Sequence, residues 1–400
     1  MSFDSPSLYL HTTMYPLYLF APENDMALAF GGPHYTPTPA AQTIARDLSL
    51  LPLWYALEPN AYVWSSQLVD DTLQQHLDAM GITSKATSRP STPSICKPWG
   101  WSAYITDKFT RAGIATHLLP DSERIEHIRN LSGRATTRTI LQALHNSLPQ
   151  HTLPPLPNIL HNIREVEEYV TSQPASMLKS PWSSSGRGVW AVRGTFDNAT
   201  ARSAQGIIRK QGYIMGEKLC DKIIDFAMEF YSDGQSVQFA GYSLFNTDER
   251  GAYLGNLLAH NNYIEQQLLY HIDIELLQNT RAALIDITTQ IIAPHYIGYF
   301  GIDMLIYQDR DKKLLHPCIE LNLRMNMGMV ARIIADRFLA ENTRGYYYVY
   351  YANTTTQLQQ RHEQLKQEHP LLIENQKIIK GYLPLTPIQH DTHYCAYIVI

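Results

Sequence analysis

The residues best placed to do chemistry lie in GIDMLIYQDRDKKLLHPCIELNLRMNMG, residues 301–328. Two apolar runs flank the polar stretch 308–313, which predicts a β-hairpin. A turn centred between residues 310 and 311 sets Asp303 opposite Cys318 and diagonal to Glu320. Side chains alternate along a strand, so Glu320, Asn322 and Arg324 share the face of Asp303. Ile302, Met304, Ile306, Leu315, Ile319, Leu321 and Leu323 share the other face. One face can be buried, while the opposite one gathers two carboxylates, an amide and a guanidinium. Three converging oxygen ligands suit Mg2+, which takes one or two carboxylates and completes its octahedron with water and phosphate oxygens. A solvated strand face carrying an Asp/Glu–Arg ion pair gives the same alternation.

A second candidate is MLKSPWSSSGRGVW, residues 177–190. The loop 183–188, between two β-rich runs, reads as a plain hairpin loop or as an anion cradle. Its glycines let backbone N–H groups approach an anion, its serines add hydroxyl donors, and Lys179 and Arg187 add positive charge. It is not a Walker loop, since no Gly-Lys-Ser/Thr follows. Nor is it a Rossmann fingerprint, since the third glycine is absent and a strand comes next. A third segment, YIMGEKLCDKIIDFAMEF at residues 213–230, puts Glu217 at the end of one strand and Asp225 and Glu229 along the next. By itself it also fits solvated acids at strand ends.

In this order the three segments resemble the ATP-grasp superfamily over roughly residues 120–340. The resemblance is most specific in LKSPWSSSGRGV and in Asp303 followed by Glu320-Leu321-Asn322. Residues 16–120 look like the small α/β domain that precedes such a module. The implied fold is α/β and α+β, with two α+β lobes clasping ATP. The resemblance implies that Ser183, Ser184, Ser185, Gly186, Arg187 and Gly188 close over the phosphates and that Lys179 contacts nucleotide. Glu217, Lys218 and Leu219 match the hinge that reads adenine. Asp225 matches the ribose-binding acid, with Glu229 as second choice. Asp303, Glu320 and Asn322 match the ligands of one or two Mg2+ ions, for which Mn2+ can substitute. Arg324 and Lys179 match the catalytic cations. The family's upstream basic residue, often lysine, is matched here by Arg134 or Arg138, and the choice between them stays open. Members such as D-alanine–D-alanine ligase activate a carboxylate as an acyl phosphate and join it to an amine, releasing ADP. A kinase on the same fold and a non-catalytic nucleotide-binding protein are the alternatives.

Positioning these side chains divides the chain into five segments. Residues 1–120 form the N-terminal α/β domain, and 121–157 form a helical connector and a proline-rich linker. Residues 158–216 form the small lobe, 217–345 the large lobe with the metal site, and 346–400 a C-terminal extension. Strands are expected at 16–21, 176–179, 189–193, 213–217, 223–231, 236–245, 301–307, 314–324 and 394–400, and helices at 40–50, 66–80, 102–112, 198–210, 328–340 and 355–368. Two helices separated at Ser132-Gly133 are expected over 121–148, with Asp121 or Ser122 as N-cap. Glu23-Asn24-Asp25 follows the first strand, where α/β domains place ligands, although a tight turn cap is the plainer reading. Trp99-Gly100-Trp101 invites the same question. Tyr253, Asn256 and His260 are candidates to line the acceptor site.

The composition narrows the class. With 400 residues, 44% hydrophobic, the chain has material for several cores at about 100–200 residues per domain. A net charge of −5 argues against a broadly basic nucleic-acid surface. No apolar run approaches the roughly 18–20 residues of a membrane span, and the N-terminus reads as a strand rather than a signal peptide. Cys96, Cys220, Cys318 and Cys395 lie far apart without a CxxC pair, which suggests free thiols. The expectation is a cytoplasmic enzyme acting on a small-molecule carboxylate and an amine, without nucleic-acid or membrane partners, and with room for a homodimer.

Overall fold

A computed structural model describes residues 15–90, 92–183, 188–248 and 253–400. Strands β1 (Tyr15–Leu19), β2 (Tyr62–Trp64), β3 (Lys85–Thr87) and β4 (Pro93–Pro98) form a parallel sheet in the order β3-β2-β1-β4. Helices at Pro39–Asp47, Asp71–Ala79 and Ala103–Arg111 start where Thr38, Asp70 and Ser102 accept a backbone hydrogen bond from three residues ahead. The Asp70 cap is why the helix expected at 66–80 begins only at Asp71.

The connector forms the two expected helices, Ser122–Leu131 and Ala135–Ser147, the first capped by Asp121 accepting from the Arg124 N–H at 2.8 Å. The small lobe follows as an antiparallel sheet of β5 (Asn158–Leu160), β6 (Ser176–Lys179), β7 (Val189–Val192) and β8 (Ile214–Lys218), ordered β5-β8-β6-β7. Helices Ile163–Ser172 and Asn198–Gln211 pack on it through a separate core that includes Val166, Val170, Leu178 and Ile214.

Beyond Leu219 the chain crosses into an eight-stranded antiparallel sheet. Its strands are β9 (Asp221–Ser232), β10 (Val237–Thr247), β11 (Tyr253–Leu258), β12 (Gly298–Asp309), β13 (Lys312–Asn322) and β14 (Gly345–Tyr351). After a short hairpin, β15 (Leu372–Glu374) with β16 (Lys377–Lys380), come β17 (Tyr382–Pro384) and β18 (Tyr394–Val399). The order is β13-β12-β9-β10-β11-β14-β18-β17, so strands from 346–400 continue the sheet of the large lobe.

The two faces of this sheet have different fates. Phe226, Met228, Phe230, Ile302, Met304, Ile306 and Leu315 pack with the helices Ile274–Ile291 and Ala135–Ser147 in one core. The opposite face carries the Met327–Phe338 helix, whose Val330 and Ile334 share a core with Leu53 and Trp54 of the N-terminal domain. That second face, where this helix does not cover it, carries the candidate site.

Candidate active site

The hairpin of residues 301–328 forms as the sequence suggests, with a change of register. A two-residue turn, Arg310-Asp311, closes β12 onto β13, and Arg310 adopts the left-handed backbone (φ 56°) that a tight hairpin needs. Pairing runs in register from Asp309 with Lys312 to Leu305 with His316, then slips, so that Asp303 faces Glu320 rather than Cys318. Pro317 lies in the slipped stretch. It has no N–H to give the ladder, and β13 is an edge strand, where such a break is tolerated. The slip spans two residues, so the alternation of faces survives. Asp303, Glu320 and Asn322 therefore still share a face, now with the two carboxylates on directly paired residues. Of the apolar set, Ile319 alone is half-buried rather than buried.

Charge is concentrated on this face. Burial, and then the neighbouring Glu320 carboxylate, push Asp303 up to about 7. Two acids held this close suit a cation between them. Among the described residues no group of three His, Cys, Asp or Glu side chains is arranged to hold a metal ion. A cation here would rest on two carboxylates and the Asn322 amide, with its remaining positions left for water and phosphate oxygens. That donor set fits Mg2+.

Three of the four arginines named from the sequence lie among the described residues, and the structure separates them. Arg134 is 5% exposed and bridges the parts of the site. One of its nitrogens donates to the Ser180 carbonyl and to Ser183 Oγ, each at 2.7 Å, and the other meets Glu320 at 2.7 Å. Arg138 instead donates to the Pro157 carbonyl in the linker. Arg324 donates to Asp25 at 2.6 Å and to Asn322 Oδ1 at 3.0 Å. Asp25 sits 299 positions away in sequence. Part of the Glu23-Asn24-Asp25 triplet thus does more than cap a turn, and the Glu23 side chain makes no capping bond.

On the small-lobe side, Lys179 ends β6 and forms a buried ion pair with Glu217 of β8 at 2.5 Å. Among the described residues Glu217 Oε1 has no partner. Lys218 is exposed, reaching Asp309 at 3.4 Å, and Leu219 lies at the crossing between the lobes. His316, absent from the sequence candidates, lies near this pair. It is 4% exposed with Nδ1 unpartnered among the described residues, and burial, reinforced by Lys179, drives its pKa down to about 3. The Cys318 thiol is pushed up by burial first and also feels Glu217, Lys179, Asp303 and Glu320, which places it between the Lys179–Glu217 pair and the two facing carboxylates.

Asp225, on β9, accepts from Lys222 at 2.5 Å and from Thr247 at 2.9 Å, and it adds to the negative field at Asp303. Glu229, the second choice for ribose, is 1% exposed and accepts from Asn326 at 2.8 Å. A Cβ at Gly301 or Gly328 would lie 2.6 or 2.4 Å from its oxygens, so it is sealed under backbone and faces no ligand space. Asn256 donates to Ser243 at 2.7 Å and is bonded by Tyr253, while His260 bonds the Ala340 carbonyl. The first two join the polar face, and the third ties the sheet to a loop.

The loop candidates Ser184, Ser185, Gly186 and Arg187 lie outside the described residues. Its two ends are described. Ser183 is held by Arg134, and Gly188 has φ 74° and its carbonyl accepts from the Ser180 N–H at 2.7 Å. A Cβ on Gly188 would fall 2.4 Å from Ser180 Oγ, so both conformation and space demand glycine there.

The lobes, the hairpin and the small leading domain make this the ATP-grasp fold, and solved structures share it at low identity. The chain is similar to a biotin carboxylase–β-γ-ATP complex from Campylobacter jejuni at 12% identity and TM-score 0.50, covering 96% of this chain and 86% of that one. It is similar to the biotin carboxylase domain dimer of Hydrogenobacter thermophilus 2-oxoglutarate carboxylase, with MgADP, ADP and bicarbonate, at 11%, 0.50, 96% and 86%. It also matches Rhizobium etli pyruvate carboxylase T882A at 12% and 0.50, covering 96% of this chain and 36% of that one. No protein-family model matches the sequence, and no curated protein matches it. Among the described residues no helix is long and apolar enough to cross a membrane.

Proposed function

We propose that this protein is an ATP- and Mg2+-dependent ligase that activates a small-molecule carboxylate as an acyl phosphate and joins it to an amine, releasing ADP and phosphate. One observation carries the reading: Asp303 and Glu320 face each other beside Asn322 and Arg324, with Arg134 linking Glu320 to the loop that begins at Ser183. The nucleotide-bearing neighbours are consistent with it, but their likeness speaks for the fold alone.

Phosphoryl transfer needs positioning and charge neutralisation more than covalent help. A divalent ion held by Asp303, Glu320 and Asn322 would supply neutralisation of phosphate charge. Lys179, held by Glu217, would orient the nucleotide. Arg134 would draw the loop toward the phosphates, because it already grips both the loop and Glu320. Arg324, aimed by Asp25, would hold the acid's carboxylate as one oxygen takes the γ-phosphoryl group and ADP departs. The amine then forms a C–N bond as the C–O bond to phosphate breaks, and the nitrogen loses its proton to water. Exclusion of water from the site would protect the acyl phosphate from hydrolysis.

The test is ADP release measured over paired panels of carboxylic acids and amines. Release that needs one of each supports the ligase. Release with a hydroxyl acceptor alone would replace it with a kinase.

A further inference from the structure

The break between the two connector helices, at Ser132-Gly133, meets the stretch that leads into the serine loop. The Arg134 N–H donates to the Pro181 carbonyl at 3.0 Å, and the Arg134 side chain reaches the Ser180 carbonyl and Ser183 Oγ. Between these contacts sits Trp182, whose indole Nε1–H donates to the Arg129 carbonyl at 3.0 Å. That carbonyl belongs to the last turn of the helix Ser122–Leu131, where backbone acceptors lose their helical donors. The Gly133 N–H, which a longer helix would aim at it, bonds the Asn130 carbonyl at 3.1 Å. The indole takes its place.

The Arg129 side chain carries the contact onward. Its guanidinium carbon stands 4.3 Å from the centroid of the Trp182 ring. Its Nε donates to the Leu28 carbonyl at 2.8 Å, in the last turn of the helix Asn24–Phe30 of the N-terminal domain. Gly31 closes that helix with φ 80°, and a Cβ there would lie 3.0 Å from Arg129 Nε. The ion pair of Arg129 with Glu126, at 3.9 Å and largely exposed, adds little. The ring and the Leu28 carbonyl therefore set where the guanidinium lies. Trp182 is held on its other sides too. Its backbone N–H donates to Gln211 Oε1 at 3.0 Å, and a Cβ at Gly133 would lie 3.2 Å from its ring.

What this arrangement holds borders the candidate site. A cavity of about 20 Å³, room for about one water, is lined by Leu28, Trp182 and Ser183 together with Asp25, Glu320 and Asn322. Ser183 follows Trp182 directly in the chain, so the place of the indole decides where Ser183 Oγ stands relative to Glu320. We propose that Arg129 and Trp182 form a clasp that positions Ser183 for the phosphates of a bound nucleotide, with the N-terminal domain as its anchor. The role rests on the nucleotide reading of the site for what Ser183 meets. Adenine would be served by other groups, Lys179 on β6 and Glu217 on β8, so the clasp acts on phosphate and not on base.

The test compares Mg·ADP with adenosine on the full chain, the first by isothermal titration and the second by saturation-transfer NMR titration. In Arg129→Met and in Trp182→Ala, Mg·ADP affinity should fall about tenfold while adenosine affinity stays within about twofold. Arg129→Lys, which keeps a cation over the ring, and Trp182→Phe, which keeps the ring, should each recover part of the loss. Retained adenosine binding also shows that the variants fold. Unchanged Mg·ADP affinity in Arg129→Met and Trp182→Ala overturns the clasp and leaves the nucleotide reading standing. An equal loss of adenosine overturns it too, since the contact would then be packing between domains and nothing more. Wild-type protein that binds neither ligand sinks the nucleotide reading and takes the clasp with it.

Discussion

Glu229→Gln provides a prediction whose size can be worked out. The Glu229 side chain is 1% exposed, and burial, against the opposing pull of the Asn326 hydrogen bond, raises its pKa from 4.5 to about 8. A raised folded-state value means that the folded protein holds the proton more tightly than the unfolded chain. The stability this confers is fully present below the unfolded value and is lost as pH rises through the folded one. A shift of this size corresponds to about 5 kcal/mol across the window, and about 3 kcal/mol of that is already lost at neutral pH. Glutamine keeps the shape and an acceptor for Asn326 but cannot ionise. The variant should therefore match the wild type near pH 4.5 and exceed it by several kcal/mol at pH 8. Urea unfolding followed by tryptophan fluorescence, in EDTA and across that range, measures the difference. Asp303 titrates in both proteins and adds to the rise at Glu229, so its coupling to that carboxylate is part of the difference measured. Parallel pH profiles for the two proteins would refute the claim that Glu229 is sealed in as a neutral acid.

Other substitutions test other parts of the site. Lys179→Ala should raise the apparent KM for ATP strongly in steady-state kinetics, and an unchanged value would remove Lys179 from the nucleotide site. Asp25→Asn should lower kcat by roughly 10–100-fold with little change in the KM for ATP, since a charged hydrogen bond is worth about 1.5–3 kcal/mol and Asp25 acts through Arg324. An equal rise in the ATP KM would contradict that division of labour. Gly188→Ala should cost about 1–2 kcal/mol from its left-handed backbone alone, plus the clash with Ser180. Thermal unfolding reads this, and a wild-type midpoint would show that the loop end is not fixed as described.

The sequence carried the site's face better than its details. Strand alternation placed Asp303, Glu320 and Asn322 together, and parity survived because the slip at Pro317 spans two residues. The direct pairing of Asp303 with Glu320 depends on that slip, for which the missing N–H of Pro317 was the available signal. The roles of Arg134 and Arg138 could not be told apart locally, since both lie near the start of one helix and differ only in what packs against them. Asp25 and Arg324 meet only because the N-terminal sheet docks on the Met327–Phe338 helix, a contact no local pattern encodes. The polar triplet after β1 was the one hint. Three-residue strands such as β2 and β3 are too short for a period to show. Strand β11, YLGNLL, lacks alternation and is held in place by its pairing with β10 and β14. His316 gave no signal because its meaning comes from Lys179 on the other lobe.

The central claim is that Asp303 and Glu320 grip a divalent ion for a nucleotide held by Lys179. Isothermal titration of ADP into the full chain, with Mg2+ and then with EDTA, tests it most directly. The account predicts saturable binding that weakens sharply without Mg2+ and is lost in Glu320→Gln while the protein stays folded. ADP binding of equal strength in EDTA, or in Glu320→Gln, would contradict it.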